Sequence, residues 1–185
     1  MTDHQSRRYV MRPEIGWPQV DAFATKSGRQ LVHSNPRSVD VDGQMIWTDD
    51  AGTSLHYVVD ATAGIGYVVG TAADVEQEVV AGLRPWTLRE LFAGFDEAED
   101  LRDRGQFVLR IGLAAPEEYD EGVFTRICAG LGAGEYQLRY AALWASTYTG
   151  YQEFVPVIES QLLDDDAEVV RTRARSVLEA FRAVQ

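Results

Sequence analysis

A run of four large aromatic residues at strict four-residue spacing most constrains the fold: Tyr136, Tyr140, Trp144 and Tyr148. An α-helix completes a turn every 3.6 residues, so the four rings occupy one arc of roughly 120°. Small and aliphatic residues occupy the adjoining arc, and a narrow polar arc remains near Arg139 and Ser146. A helix that is apolar almost all round is usually buried, so we expect the rings to pack inside a stack of helices. The alternative is that this ridge, above all Tyr136 and Tyr140, anchors a partner.

A segment with part of the same residue pattern, but without the four aromatic residues, occurs about 32 residues later. Each copy has an aliphatic residue and an arginine, followed three residues on by alanine: Leu138-Arg139 with Ala142, and Val170-Arg171 with Ala174. An apolar helix continues past each alanine, so the two segments indicate one structural unit used twice. Repeated helical units stack on their neighbours and present extended surfaces, which is typical of proteins that bind partners.

Both copies resemble the second helix of HEAT-like repeats, and so does the acidic turn at Asp164-Asp165-Asp166 before the last helix. The resemblance covers roughly the C-terminal half of the chain. It implies that Ala142 and Ala174 allow close helix packing. It also implies that Arg139 and Arg171 are scaffold residues, which brace one repeat against an acidic turn of its neighbour. HEAT-like arrays mostly bind proteins, although one branch acts as DNA glycosylases.

The net negative charge of the chain disfavours partners that are themselves negatively charged. Lys and Arg number 17 against 29 Asp and Glu, which gives a formal charge of −12 and a pI near 4.6. Nucleic-acid binding draws much of its affinity from cations that displace counterions, so this charge disfavours nucleic acids and anionic membranes. Arg102, Arg104 and Arg110 form only a thin basic stripe, preceded by acidic residues at 96–100. We therefore expect a positively charged protein partner.

Strand and turn signals alternate in the N-terminal half. Segments 45–48, 54–59 and 65–69, separated by turns rich in Asp and Gly, predict a three-stranded antiparallel meander. The alternation along the middle strand places Leu55, Tyr57 and Val59 on the core face and His56 on the opposite face. Flanking helices are predicted on either side of the meander.

A helix-capping signal marks the best domain boundary. Thr87 and Glu90 have the spacing of a capping box, in which each side chain satisfies a backbone N–H of the first turn. Every later segment is predicted to be helical, and short connections make neighbouring helices antiparallel. The sequence thus predicts an α+β fold, with a small sheet-containing cap domain at 1–84 and a HEAT-like helical stack at 85–185.

A second class of function uses a pocket where the meander meets the helices. Its expected lining combines aromatic and polar groups: Trp47, His56, Tyr57 and Trp86. His56 acts as a general base in this hypothesis if it meets a carboxylate such as Asp60. An enzyme or small-molecule binder is therefore the alternative interpretation.

Neither a cofactor nor a metal site is predicted. The three histidines, His4, His33 and His56, belong to separate elements, and the acidic run at 164–166 lacks the glycine and alternating ligands of a calcium loop. Glycines at 64, 66 and 70 lack the strand-to-helix context of a dinucleotide loop. Cys128, the only cysteine, lies on an apolar helical stripe and is expected to be a small buried hydrophobe.

These observations favour a non-enzymatic, acidic protein-binding module. With one cysteine no intramolecular disulfide forms, and neither a secretion signal nor a membrane span is visible, so a cytoplasmic location is expected. An adaptor, or an immunity protein that acts as an antidote to a basic toxin such as a nuclease, suits this charge and size.

Overall fold

The computed structural model describes residues 7–183, so His4 lies outside the described residues. The chain divides into two compact units, one up to Trp86 and one from Thr87. The first unit holds an antiparallel sheet and two helices, and the second is built from helices. The predicted α+β class is confirmed. Among residues 7–183 no helix combines the length and the apolar character needed to cross a membrane.

A five-stranded antiparallel sheet forms the frame of the first unit. Its elements are β1 Tyr9–Val10, α1 Trp17–Lys26, β2 Gln30–Asn35, β3 Gly43–Thr48, β4 Ser54–Val59, β5 Gly66–Gly70 and α2 Ala73–Leu83. The strands lie in the order β1-β5-β4-β3-β2, and every neighbouring pair is antiparallel. The predicted meander corresponds to β3, β4 and β5, so the predicted number of strands is corrected from three to five.

The two unpredicted strands lack an alternating pattern of buried residues. β2 is an edge strand with almost every residue exposed, so no buried face marks it in the sequence. Its register against β3 shifts between Leu31 and His33. β1 is only two residues long and pairs with Tyr67 and Val68 of β5. Neither strand therefore carries the period-two signal on which strand prediction depends.

One face of the sheet packs against α1 and α2. Leu55 and Tyr57 of β4 lie in this core, and Val59 packs against its margin, as the alternation predicts. The Tyr57 ring crosses β5 at Gly66, where a Cβ atom would lie 2.5 Å from the Tyr57 Oη. Glycine is required there because any side chain would displace the buried tyrosine.

The second unit contains six helices within the described residues: α3 Leu88–Glu97, α4 Leu101–Ala114, α5 Glu121–Leu131, α6 Tyr136–Thr149, α7 Phe154–Gln161 and α8 Glu168–Ala183. Consecutive helices pair as α3–α4, α5–α6 and α7–α8, and their short connections make the partners antiparallel. Helices α4, α6 and α8 are successive neighbours in one layer, and α3, α5 and α7 in the other. Helix α6 is therefore central, with contacts to α4, α5 and α8.

Side-chain caps define where three of these helices begin. The Thr87 hydroxyl accepts a hydrogen bond from the Glu90 N–H at 3.2 Å, and the Glu90 carboxylate accepts one from the Thr87 N–H at 2.9 Å. Asp100 caps α4, and Asp120 caps α5 by accepting the Val123 N–H at 2.9 Å. Each cap satisfies backbone donors that have no partner within the helix.

Small residues bring α6 unusually close to two of its neighbours. A Cβ atom at Gly112 of α4 would lie 2.4 Å from the Ala145 carbonyl oxygen, and one at Gly130 of α5 would lie 2.8 Å from the Ala142 Cβ. Contacts this short leave no room for a larger side chain at either crossing. The alanine arc of α6 is therefore its main packing surface.

Candidate functional site

The polar arc of α6 faces the interior of the helical unit, and its aromatic ridge faces outward. Arg139 is 8% exposed and Ser146 is fully buried. Tyr136, in contrast, is 46% exposed, and the three later rings of the ridge are half-buried. The ridge is thus not enclosed by the stack, contrary to the expectation drawn from its apolar character. The alanine arc, which admits the closest approach of neighbouring helices, takes the buried position instead.

Arg139 joins α6 to the turn between α7 and α8. Its Nε donates to Asp165 Oδ2 at 2.6 Å, and its Nη2 donates to Asp165 Oδ1 at 2.8 Å and to Asp166 Oδ1 at 2.5 Å. Its Nη1 donates to the carbonyl oxygens of Ala133 and Gly134. The Arg139 hydrogen bonds lower the pKa of Asp165, so this buried carboxylate stays ionised. The pair is a structural brace.

Arg171 occupies the matching position on α8. Its Nη1 donates to the carbonyl oxygens of Asp165 and Asp166, just as Arg139 bonds the turn before α6. The alanines that follow, Ala142 and Ala174, are both fully buried. Arg104, at the corresponding place on α4, instead stacks on Phe95 at 4.8 Å from the ring centroid. The repeated contacts therefore involve the last two hairpins.

An open cleft lies between α6 and α8, beside the aromatic ridge. Its lining residues are Tyr140, Glu168, Val169, Thr172, Arg173 and Ser176, and its volume is about 520 Å³. The Arg173 guanidinium lies 3.8 Å from the centroid of the Trp144 ring and 5.7 Å from that of Tyr140. These cation–π contacts place the guanidinium over the Trp144 ring, beside Tyr140. Tyr136, at 46% exposed, is the most exposed residue of the ridge.

A second aromatic surface, which the sequence interpretation missed, lies at the α4–α5 connection. Tyr119 is 48% exposed, yet its ring is held by Phe124 at 5.7 Å and Tyr151 at 5.5 Å between centroids. The Tyr151 hydroxyl donates to the carbonyl oxygens of Pro116 and Glu118, at 2.9 and 2.8 Å. Burial raises the pKa of Tyr151 to about 12, so the hydroxyl remains a donor. These contacts tie the α4–α5 connection to Tyr151.

Carboxylates surround the exposed Tyr119 phenol. Its pKa is raised, first by partial desolvation and then by the negative charges of Glu121, Glu153 and Asp120. Glu118 and Glu121 are exposed next to it in the chain. We refer to Tyr119 and its neighbours Glu117, Glu118, Asp120, Glu121 and Glu153 as the acidic collar. The sequence does carry a signal for this surface, a tyrosine flanked by two acidic residues on each side, but that signal was not used to predict the site.

The four residues of the predicted pocket do not share one surface within the first unit. Trp47 and Tyr57 are buried in the core beneath the sheet, and the Trp47 Nε1 donates to Asp21 Oδ1 at 2.9 Å. His56 lies between them along the sheet but on the opposite face, because successive strand residues alternate. Trp86 lies under the Arg12 guanidinium, 4.2 Å from its ring centroid.

His56 has no carboxylate partner in the part of the chain that the structure describes. It pairs across the sheet with Ile46 and Val69, and it is half-buried. Burial lowers the pKa of His56, so the imidazole is neutral at physiological pH. Asp60, its predicted partner, accepts a hydrogen bond from the Ala63 N–H at the turn after β4. The arrangement that a general base needs is therefore not assembled around His56.

The remaining candidate groups have structural roles. Among residues 7–183, no group of three or more His, Cys, Asp or Glu side chains is arranged to hold a metal ion. Cys128 is half-buried, less enclosed than expected, and partial burial raises its pKa to about 11, which keeps the thiol protonated. Asp96 pairs with Arg126 at 2.5 Å, and Arg110 lies 5.7 Å from the centroid of the Phe107 ring. Two of the three arginines of α4, Arg104 and Arg110, thus pack on aromatic rings, and Arg102 is exposed.

Comparisons with protein-family models, with curated proteins and with solved structures each gave no match.

Proposed function

We propose that this protein is a non-enzymatic binding module that docks a positively charged protein on the acidic collar. The observation that carries the proposal is the exposed Tyr119 ring, held by Phe124 and Tyr151 and flanked by carboxylates. An exposed aromatic residue held in one conformation loses little entropy on binding, and tyrosine is frequent among residues that dominate interface energies. Tyr119 is therefore proposed to contribute much of the binding energy at this surface.

Electrostatics determine the kind of partner. Five carboxylates lie on or next to this segment, and the chain as a whole carries a formal charge of −12. A partner rich in Lys and Arg is steered toward such a surface, and its cations can stack on the phenol face while they pair with the carboxylates. A negatively charged partner is repelled. Binding should therefore weaken as ionic strength rises, because exposed charges are screened within about 10 Å at 0.1 M salt.

The helical unit is proposed to be a short HEAT-like scaffold for this surface. The repeated contacts of Arg139 and Arg171, and the buried alanines that follow them, support that assignment. Within such a scaffold the collar lies at a connection between two hairpins, and connections tolerate sequence change more readily than packed faces. Partner choice can therefore vary while the scaffold is retained.

One concrete form of this function is an immunity or antidote protein that covers the cationic surface of a toxin. The support is indirect and consists of the compact size, the acidity and the rigid acidic anchor. A toxin gene next to the gene for this chain, with co-expression required for the host to survive the toxin, is the expected genetic result. Survival without this chain would contradict the antidote role.

Affinity capture with variant baits tests the proposal. The tagged wild-type chain is incubated with lysate of the native organism, and the captured proteins are eluted with a salt gradient. We expect a basic protein in stoichiometric amount, lost with Tyr119→Ala and with the double variant Glu118→Gln/Glu121→Gln. For the purified partner, each change should weaken binding by about 10- to 100-fold.

A matched control separates the collar from general acidity. Glu97→Gln/Glu99→Gln removes the same charge from exposed residues near the α3–α4 turn. It should bind the partner with nearly wild-type affinity. Equal losses for both double variants would place the interface outside the collar. A partner that is acidic, or whose affinity does not depend on salt, would contradict the proposed function.

A further inference from the structure

The Arg173 side chain in the α6–α8 cleft is positioned by aromatic rings without an ion pair. Its guanidinium lies 3.8 Å from the Trp144 ring centroid, and its Nη2 is 3.4 Å from the Tyr140 hydroxyl oxygen. In the part of the chain described by the structure, this hydroxyl is the only hydrogen-bond acceptor of Arg173. A guanidinium carries five N–H donors. Most of its donor capacity is therefore available to a ligand in the cleft that it lines.

Like Arg104 and Arg110, Arg173 contacts aromatic rings and forms no ion pair within the described residues, whereas four other arginines do. Arg29, Arg126, Arg139 and Arg182 each pair with an Asp or Glu side chain. Arg173, within residues 7–183, makes no such pair, although Glu168 lines the same cleft. The contact with Trp144 restricts the positions open to the guanidinium and so lowers the entropy lost when a planar, bidentate acceptor binds. A carboxylate is an acceptor of that shape.

The walls of the cleft suit a compact body with an apolar surface. The cleft is open to solvent, and its volume of about 520 Å³ leaves room for one small aromatic ring. The Tyr140 ring and the Val169 side chain, which is 45% exposed, provide apolar area, and Thr172 and Ser176 provide hydroxyl groups. Tyr136 extends the aromatic surface one helical turn beyond Tyr140. An aromatic ring can lie against these walls while its acidic group reaches Arg173.

We propose that the α6–α8 cleft binds a small aromatic acid with one carboxylate, which pairs with the Arg173 guanidinium while the ring packs against Tyr140 and Val169. Glu168 at the cleft and the formal charge of −12 select against anions of higher charge, because each further negative charge is repelled. We therefore expect phosphate esters and dicarboxylates to bind more weakly than a monocarboxylate of the same size. The site is on a different part of the second unit from the acidic collar and does not depend on the proposed protein partner.

An NMR titration with benzoate tests the assignment, with benzamide as the neutral probe of the same shape. The chain has four Trp residues, and Trp144→Phe identifies the indole N–H signal of Trp144 in the ¹⁵N spectrum. We expect a saturable shift of this signal with benzoate at concentrations up to about 20 mM, and at least tenfold weaker binding of benzamide. Arg173→Gln should weaken benzoate binding at least tenfold, and Arg173→Lys should recover only part of that loss because lysine lacks the planar fork.

Arg175→Gln is the matched control, since Arg175 is exposed two residues along the same helix and outside the cleft lining. It should bind benzoate as the wild type does. Equal binding of benzoate and benzamide, no shift of the Trp144 signal, or equal losses for Arg173→Gln and Arg175→Gln would each overturn the proposal. The comparison of the two probes uses the unaltered chain, so it stands even if a variant fails to fold.

Discussion

Arg139 and Arg171 each bond the backbone carbonyls of the fifth and sixth residues before them, although they lie 32 residues apart in the chain. Each arginine thus closes the turn that precedes its own helix. Only Arg139 also reaches the next turn, where it meets the carboxylates of Asp165 and Asp166. The two arginines therefore share a local role but differ in how many hairpins they connect.

This difference predicts unequal costs of substitution. Arg139→Ala leaves the buried Asp165 carboxylate without its main partner, and we expect a loss of about 3 to 5 kcal/mol in unfolding free energy. Arg171→Ala removes only hydrogen bonds to carbonyl oxygens and should cost about 1 to 2 kcal/mol. Urea denaturation of both variants provides the comparison. Equal losses would show that the contact between hairpins adds no stability.

The Asp165 carboxylate predicts a specific dependence on pH. Its pKa in the folded chain lies below the ordinary value, so its contribution is present at neutral pH and is lost as pH falls through the folded pKa. We expect the difference in unfolding free energy between wild type and Asp165→Asn to be constant above about pH 5 and to shrink below about pH 4. Denaturation series between pH 7 and acid conditions test this. A difference that stays constant down to acid pH would contradict it.

Gly112 should tolerate no side chain, because α4 and α6 cross there. The Cβ of Gly112→Ala would lie 2.4 Å from the Ala145 carbonyl oxygen, so we expect a loss of about 1 to 3 kcal/mol even though alanine favours helix. Gly105 on the same helix is the control, since its Cβ would meet nothing closer than 3.9 Å. Gly105→Ala should raise stability by about 0.5 to 1 kcal/mol. Thermal unfolding of both variants distinguishes crowding from helix propensity, and similar shifts would argue against a close crossing.

Cys128 should react slowly with alkylating reagents in the native chain. Burial raises its pKa to about 11, so at pH 8 only about 0.1% of the thiol is ionised. We expect modification by iodoacetamide to be at least about 100-fold slower than that of a free cysteine. In urea the rate should rise to that of the free amino acid. A fast native reaction would show that the thiol is not shielded.

Local sequence patterns correctly predicted that a helix begins after Thr87 and that Leu55 and Tyr57 point into the core. Both features depend on residues that are close together in the sequence. The orientation of α6 could not be predicted in this way. Either the aromatic arc or the alanine arc of α6 could face the neighbouring helices. The alanine arc does so because Gly112 and Gly130, on other helices, allow a close approach to it. Edge strand β2 was not predicted because it has no buried face and therefore no alternating pattern of apolar residues.

The candidate sites were predicted less well than the fold. The aromatic ridge was recognised as a possible anchor, but its pairing with Arg173 joins residues from two helices and has no signature in either segment alone. Tyr119 did have a local signal in its acidic neighbours. Its exposure and rigidity depend on Tyr151, more than 30 residues later, and only the folded chain brings the two together.

The interrupted register of β2 bears on whether further strands can add to the edge of the sheet. An exposed strand edge with Leu31 and Val32 on its surface is a template on which further strands can add. The shift between Leu31 and His33 breaks the regular spacing of donors and acceptors, and Pro36 removes a donor just beyond the strand. We therefore expect a strand that approaches this edge to pair with only part of β2, which disfavours growth of the sheet into fibrils.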